Sequence, residues 1–184
     1  MPDRLREHEF QIAYGPADDR LHAFYIPALS CAVRYDRTAG FFSSSALAVA
    51  AAGVARLIAN GGRMRLLVGA QLSEADVQAI EHGRALHDVL AEQLVAALSE
   101  PAELVMQQRL RVLAWLVAAG RLEMRVVLPK GSDGRPLPGA LSQDYYHPKT
   151  GIFTDGEGDQ IAFSGSVNES ETGWLHNYEQ FMVF

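Results

Sequence analysis

The sequence predicts a mixed α/β domain: a β-sheet flanked by helices. Three observations carry this. Short runs of β-forming residues recur at 32–42, 64–69, 122–128, 147–154, 160–165 and 178–184, and Ala- and Leu-rich helical stretches separate the first three. With 48% apolar and 21% charged residues in 184, the chain has material for one buried core. That composition excludes a disordered tail, a collagen-like fibre and a disulfide-stapled miniprotein.

Taken in order, residues 16–31 open on a turn-like Pro16-Ala17-Asp18-Asp19. They become amphipathic through Leu21, Phe24, Ile26 and Leu29, a short helix despite Pro27. Val33 and Tyr35 favour a strand that runs to Gly40 and the two phenylalanines after it. Ser43, Ser44 and Ser45 are N-cap candidates for an Ala-rich helix that Asn60-Gly61-Gly62 stops. The next strand is 64–69. Ser73-Glu74-Ala75-Asp76 opens a helical region to about residue 98, and Pro101 starts a further helix, 102–119, closed by Gly120. A strand at 122–128 leads to a Gly/Pro-rich loop over 130–142. Three strands follow, so the order is β-α-β-α-α-β-loop-β-β-β. The terminal Gln180-Phe181-Met182-Val183-Phe184 reads as an exposed apolar strand end. Residues 1–184 are therefore expected to be a single domain forming the N-terminal part of a longer protein.

The longest apolar stretch, 46–55, is too short to span a bilayer and contains Gly53. Asp3, Arg4, Arg6, Glu7 and Glu9 leave no room for an apolar signal segment. A lone Cys31 allows no internal disulfide, so a cytoplasmic setting is expected, with Cys31 a core residue. The net charge of −6 excludes a uniformly basic DNA-coating surface but not a local anion site. His22, His82 and His87 lie in helical patterns without partners at ligand spacing, and no phosphate-binding Gly-x-x-x-x-Gly-Lys loop occurs. Neither a metal nor another cofactor is expected.

The chemistry concentrates between Tyr145 and Gln180. His147-Pro148-Lys149 stands at the start of a strand, where residues two apart share a face, about 7 Å apart at Cα. Chance would supply a His-x-Lys in this composition only about 0.07 times. Downstream, Gly165 permits close backbone approach, Ser166 and Asn168 supply neutral donors, and Glu179 supplies a carboxylate able to orient a histidine. Such a set can bind a phosphodiester and attack its phosphorus.

These residues resemble the His-x-Lys…Gly-Ser-x-Asn…Glu signature of the phospholipase D superfamily. The superfamily includes phospholipases, phosphatidyl transferases, tyrosyl-DNA phosphodiesterases and small endonucleases. Phe24-Tyr25, Pro27-Ala28-Leu29 and the run from Gly40 to Leu47 are similar to the phospholipase D-like domains in front of bacterial Snf2 and DEAD/DEAH helicases. So are Phe163 to Ser170 and Asn177-Tyr178-Glu179. The resemblance runs from residue 18 to the end and implies one half of a phospholipase D-like fold. It makes His147 the nucleophile that forms a phosphohistidine, with Lys149, Ser166 and Asn168 on the phosphate and Glu179 on the other imidazole nitrogen. The family's acidic residue falls five positions after the lysine, which here is Thr154. Asp155 stands next, expected as a structural residue near the site after a one-residue bulge.

The superfamily uses two facing His-x-Lys motifs, and this chain has one. The resemblance therefore implies a homodimer or a second half elsewhere, since the leaving oxygen needs a proton donor. The function implied is a metal-independent phosphodiesterase cleaving DNA, tied to a helicase in DNA processing or antiviral defence, with no membrane partner. The alternatives are a phosphate-gripping DNA-binding module that no longer cuts, and a lipid phosphodiesterase, for which no membrane-facing surface is visible.

Overall fold

The computed structural model describes residues 4–43, 45–69, 112, 115–117, 119–137 and 146–184. The expected helices between 73 and 98 and most of the one at 102–119 lie outside the described residues. Residues 115–117 are helical, and Leu116 is buried.

The strands are β1 (Ala13–Tyr14), β2 (Ala32–Ala39), β3 (Arg63–Gly69), β4 (Leu122–Val127), β5 (Thr150–Asp155), β6 (Gln160–Gly165) and β7 (Phe181–Val183). The helices are α1 (Ile26–Cys31), which continues a π-helical turn at Leu21–Tyr25, then α2 (Ser45–Val49), α3 (Ala51–Ala59) and α4 (Glu171–Leu175). Among the described residues the strands form one sheet in the order β1-β7-β6-β5-β2-β3-β4. β2, β3 and β4 run parallel, and β5, β6, β7 and β1 continue antiparallel from the other side of β2.

Period-2 alternation sets the two faces. Tyr35 and Arg37, Met64, Leu66 and Val68, and Gly151, Phe153 and Asp155 are buried, while Arg34, Asp36, Arg63 and Arg65 alternate with them on the wetter side. An aromatic cluster fills the buried side. Tyr35 stacks on Phe153 at 4.3 Å, Tyr25 stacks on Trp174 at 4.0 Å, and Phe24 meets Phe153 and Phe163 edge-on. Such pairs add about 0.5–1.5 kcal/mol each beyond area burial. α3 crosses α1 at Gly53, where a Cβ would lie 2.8 Å from Leu29 Cβ. Cys31 is fully buried, as expected.

The structure corrects the sequence reading in several places. The expected strand at 32–42 stops at Ala39, because the chain leaves the sheet at Gly40. The Ala-rich helix is two helices, broken at Ala50 (φ −96°, ψ 18°). α4 and β1 are additions to the elements expected from the sequence. The terminal strand is not a bare edge, since β7 pairs with both β6 and β1 and Phe181 is core, but Met182 and Phe184 do stay exposed as expected. The expected bulge lies on β2 rather than β5, with Val33 the extra residue between the pairs Ala32–Asp155 and Arg34–Thr154. Among the described residues, no helix is long and apolar enough to cross a membrane.

Candidate active site

The antiparallel pairing brings four segments to one end of the sheet. Thr38 near the end of β2 faces Thr150 at the start of β5, Thr150 faces Ser164, and Gly165 at the end of β6 faces Phe181 at the start of β7. The connections beyond these residues (40–43, 146–149, 166–169 and 177–180) therefore converge. They carry His147, Lys149, Ser166, Asn168 and Glu179.

His147 and Lys149 lie in the irregular segment just before β5, not on the strand itself. The His147 side chain is exposed, and its ring rests against Gly40, where a Cβ would stand 2.7 Å from Nδ1. Any side chain at Gly40 would push the imidazole away. Asn168 borders the same space and fixes the loop below it, its Oδ1 accepting the Phe41 N–H at 3.1 Å. Lys149 is buried, and its Nζ donates to the His147 carbonyl at 3.1 Å. Burial lowers its pKa below the ordinary lysine value, with nearby Glu179 opposing that shift and Arg37 adding to it.

Ser166 is tied to the lead-in of β7 by three backbone-directed bonds, one of them its hydroxyl donating to the Gln180 carbonyl at 3.4 Å. Its N–H donates to the Gln180 carbonyl at 2.9 Å, and its Oγ accepts the Gln180 N–H at 3.0 Å. This closeness explains Gly165, where a Cβ would collide with the Gln180 carbonyl and the Phe181 backbone. Glu179 is mostly buried and accepts a hydrogen bond from Asn177 Nδ2 at 3.2 Å. Asp155 is where the sequence reading needs correcting. It is structural, but it sits at the far end of β5, about 17 Å of strand from Thr150. There its carboxylate accepts N–H groups from Leu5, Glu157 and Asp159, closing the β5–β6 turn onto the N-terminal segment.

Sequence reasoning missed the layer beneath the site. Arg37 on β2 and Glu169, one residue past Asn168, form a fully buried ion pair at 2.9 Å. Arg37 also donates to the Val167 carbonyl, and Tyr25 and Tyr35 donate their hydroxyls to the two Glu169 oxygens. Burial, then the Glu169 charge, push both phenols well above the usual tyrosine pKa, so they remain donors. Glu169 is tied by its backbone as well, since Ser43 N–H donates to its carbonyl and its own N–H to Phe41. Arg20, also buried, donates to the carbonyls of Glu179 at 2.7 Å and Asn177 at 3.0 Å, pinning the loop before β7. The one available signal was phase: Arg37 shares the inward face of β2 with Tyr35 and Ala39.

Other candidates lie elsewhere. His22 bonds Asp19 on the surface, and His176 is exposed at the end of α4. Among the described residues, no three His, Cys, Asp or Glu side chains cluster as a metal site would require. A groove of about 290 Å³ runs along the opposite face of the sheet, but its charges are matched internally, Asp36 with Arg65 and Glu123 with Arg125.

No family model matches the sequence, and no curated protein matches it. Solved structures do. NucT from Helicobacter pylori aligns over 93% of this chain and 82% of its own, with a TM-score of 0.50 and 14% identity. The fold is phospholipase D-like. A phosphatidylserine synthase from Haemophilus influenzae Rd KW20 is also matched, at a TM-score of 0.46 and 13% identity, over 92% of this chain and 33% of the synthase.

Proposed function

We propose that this domain is a phosphodiesterase that cleaves DNA through a phosphohistidine at His147. The carrying observation is that an exposed imidazole, a buried lysine and the Gly165–Asn168 turn meet at one end of the sheet. In this reading one imidazole nitrogen attacks phosphorus and the bond to the leaving oxygen breaks. Water then cleaves the N–P bond and releases the phosphorylated end. The Lys149 ammonium, the Ser166 hydroxyl and the Asn168 amide stabilise the non-bridging oxygens. Because Asn168 Oδ1 already accepts from Phe41, its Nδ2 is the end left to donate. Glu179 offsets the Lys149 charge and accepts a hydrogen bond from the imidazole nitrogen not engaged in attack.

Plasmid incubated with purified protein in excess EDTA should be cut, since Lys149, Ser166 and Asn168 occupy the role a metal ion plays in other nucleases. Strict dependence on added magnesium or manganese would overturn this mechanism. Binding without cutting would favour the DNA-binding module. The sequence resemblance extends the proposal to a helicase motor working with this domain.

The leaving oxygen needs an acid, and the proposal assigns it to His147 of a second copy in a two-fold dimer. Mixing wild-type chains with His147→Ala chains should yield heterodimers strongly impaired in cleavage. Full activity per remaining histidine, or an efficient monomer in sedimentation, would exclude the dimer.

The Lys149 environment sets a pH limit. With a lowered pKa, its ammonium is lost as pH rises through a value below that of ordinary lysine. The alkaline limb of kcat/KM should begin below that value. Lys149→Arg should remove the limb in whatever activity survives, because arginine stays charged. A rate flat into the ordinary lysine range would detach Lys149 from the chemistry.

A further inference from the structure

Most aromatic side chains near this end of the sheet are core: Tyr25, Tyr35, Phe153, Phe163, Trp174 and Phe181 are each 2% exposed or less. Two are not. Phe41 is 55% exposed and Tyr178 is 92% exposed. Both stand on backbone that the site itself holds in place. Phe41 directly follows Gly40, against which the His147 ring rests, and its N–H is bound by Asn168. Tyr178 lies between Asn177 and Glu179, whose carbonyls are both held by the buried Arg20. The backbone of Phe41 thus belongs to the His147–Asn168 side of the site and that of Tyr178 to its Glu179 side. Neither gains from burial within the fold, and neither belongs to a floppy segment of backbone.

We propose that Phe41 and Tyr178 are stacking platforms for unpaired bases on either side of the phosphate seated at His147, so that the domain takes single-stranded nucleic acid in preference to duplex. The proposal rests on the phosphodiester reading of the site. The chemistry that recognises such a ligand is a phosphate pocket flanked by planar apolar surfaces. A nucleotide chain places a planar base beside every phosphate. In a duplex the base faces are covered by their neighbours, whereas in a single strand a base can turn its face onto an aromatic ring. An acyl chain fits less well. It calls for a continuous apolar surface with a basic rim, while here the two exposed rings sit on separate segments of chain, 40–43 and 177–180, in a protein of net charge −6.

The test uses the full chain carrying His147→Ala, so that ligand stays intact, and reads fluorescence anisotropy with a labelled single-stranded oligonucleotide and with its duplex. Single strand should bind at least about tenfold more tightly. Phe41→Ala and Tyr178→Ala should each weaken single-strand binding about 5- to 150-fold, the range for losing one stacked base, with little change for duplex. Tyr178→Phe, which keeps the ring, should bind as before, and Tyr178→Leu, apolar but not planar, should not. Both positions are exposed, so thermal midpoints report whether each variant is folded. Equal or tighter duplex binding, wild-type affinity in Tyr178→Leu, or association with phosphatidylglycerol vesicles that depends on the two rings in place of strand preference would each overturn the proposal. Hydrolysis of bis(4-nitrophenyl) phosphate by the wild-type chain separates the two readings. Hydrolysis without strand preference defeats the stacking proposal alone, and strand preference without any hydrolysis defeats the enzymatic reading alone.

Discussion

Replacing His147 by alanine should abolish phosphodiester cleavage while leaving the domain folded. Loss of a covalent nucleophile costs on the order of 10⁴- to 10⁶-fold in kcat, because neighbouring groups that stabilise charge cannot replace the bond it forms. The cost to the fold should be small. The side chain is exposed and lies in an irregular segment before β5, and surface substitutions of this kind stay within about 0.5 kcal/mol. For a chain of this size that shifts the thermal midpoint by roughly 2 °C or less. Cleavage and melting should be measured on the same preparation. A folded variant that retains even a hundredth of the activity would remove His147 from the nucleophile's role.

Glu169→Ala should be among the most damaging single substitutions to stability. Glu169 and Arg37 are both fully buried, and deleting the carboxylate strands the guanidinium and two phenol hydroxyls without their acceptor. Breaking one side of a buried ion pair costs about 3–5 kcal/mol, or roughly 6–20 °C of thermal midpoint at this chain length. Adding Arg37→Met to that variant should recover part of the loss, because the uncompensated charge goes with it. The coupling energy in the double-mutant cycle should fall at about 0.5–3 kcal/mol. Strict additivity in denaturant titrations would show that the two residues do not act as a unit.

Much of this molecule could be read from its residues, for reasons that are local. β3, β4 and β6 were legible because four to six β-forming residues stand between clear stops such as Asn60-Gly61-Gly62. The candidate site was legible because His147, Lys149, Gly165, Ser166, Asn168 and Glu179 all fall within 33 residues, close enough for spacing to signal a constellation. What escaped depends on distant partners. Nothing near Phe181 tells that Tyr14 will lie beside it, so β7 looked like a bare end. Arg20 and Arg37 are two of 14 arginines, and only their partners across the fold, Glu179 and Glu169, distinguish them from solvated ones. Asp155 looked like a displaced family residue, yet its work is to receive three N–H groups at the opposite end of the strand.

The sheet order also dictates when the pocket can come into being. β2 meets β3 across 29 residues of chain, from Arg34 to Arg63, but meets β5 across 112, from Thr38 to Thr150, and Ala13 meets Met182 across 169. Closing the long loops costs entropy before any of these contacts repays it, and proteins built on such non-local pairings fold on the millisecond-to-second scale. The parallel β2–β3–β4 half can form from its own stretch of chain, whereas the Gly165–Asn168 turn has nothing to close against until β5, β6 and β7 have docked. During synthesis, therefore, the candidate site matures last: on the proposed function the chain should not cleave until Glu179 and Phe181 have emerged, and refolding followed by core fluorescence should run ahead of the return of cleavage.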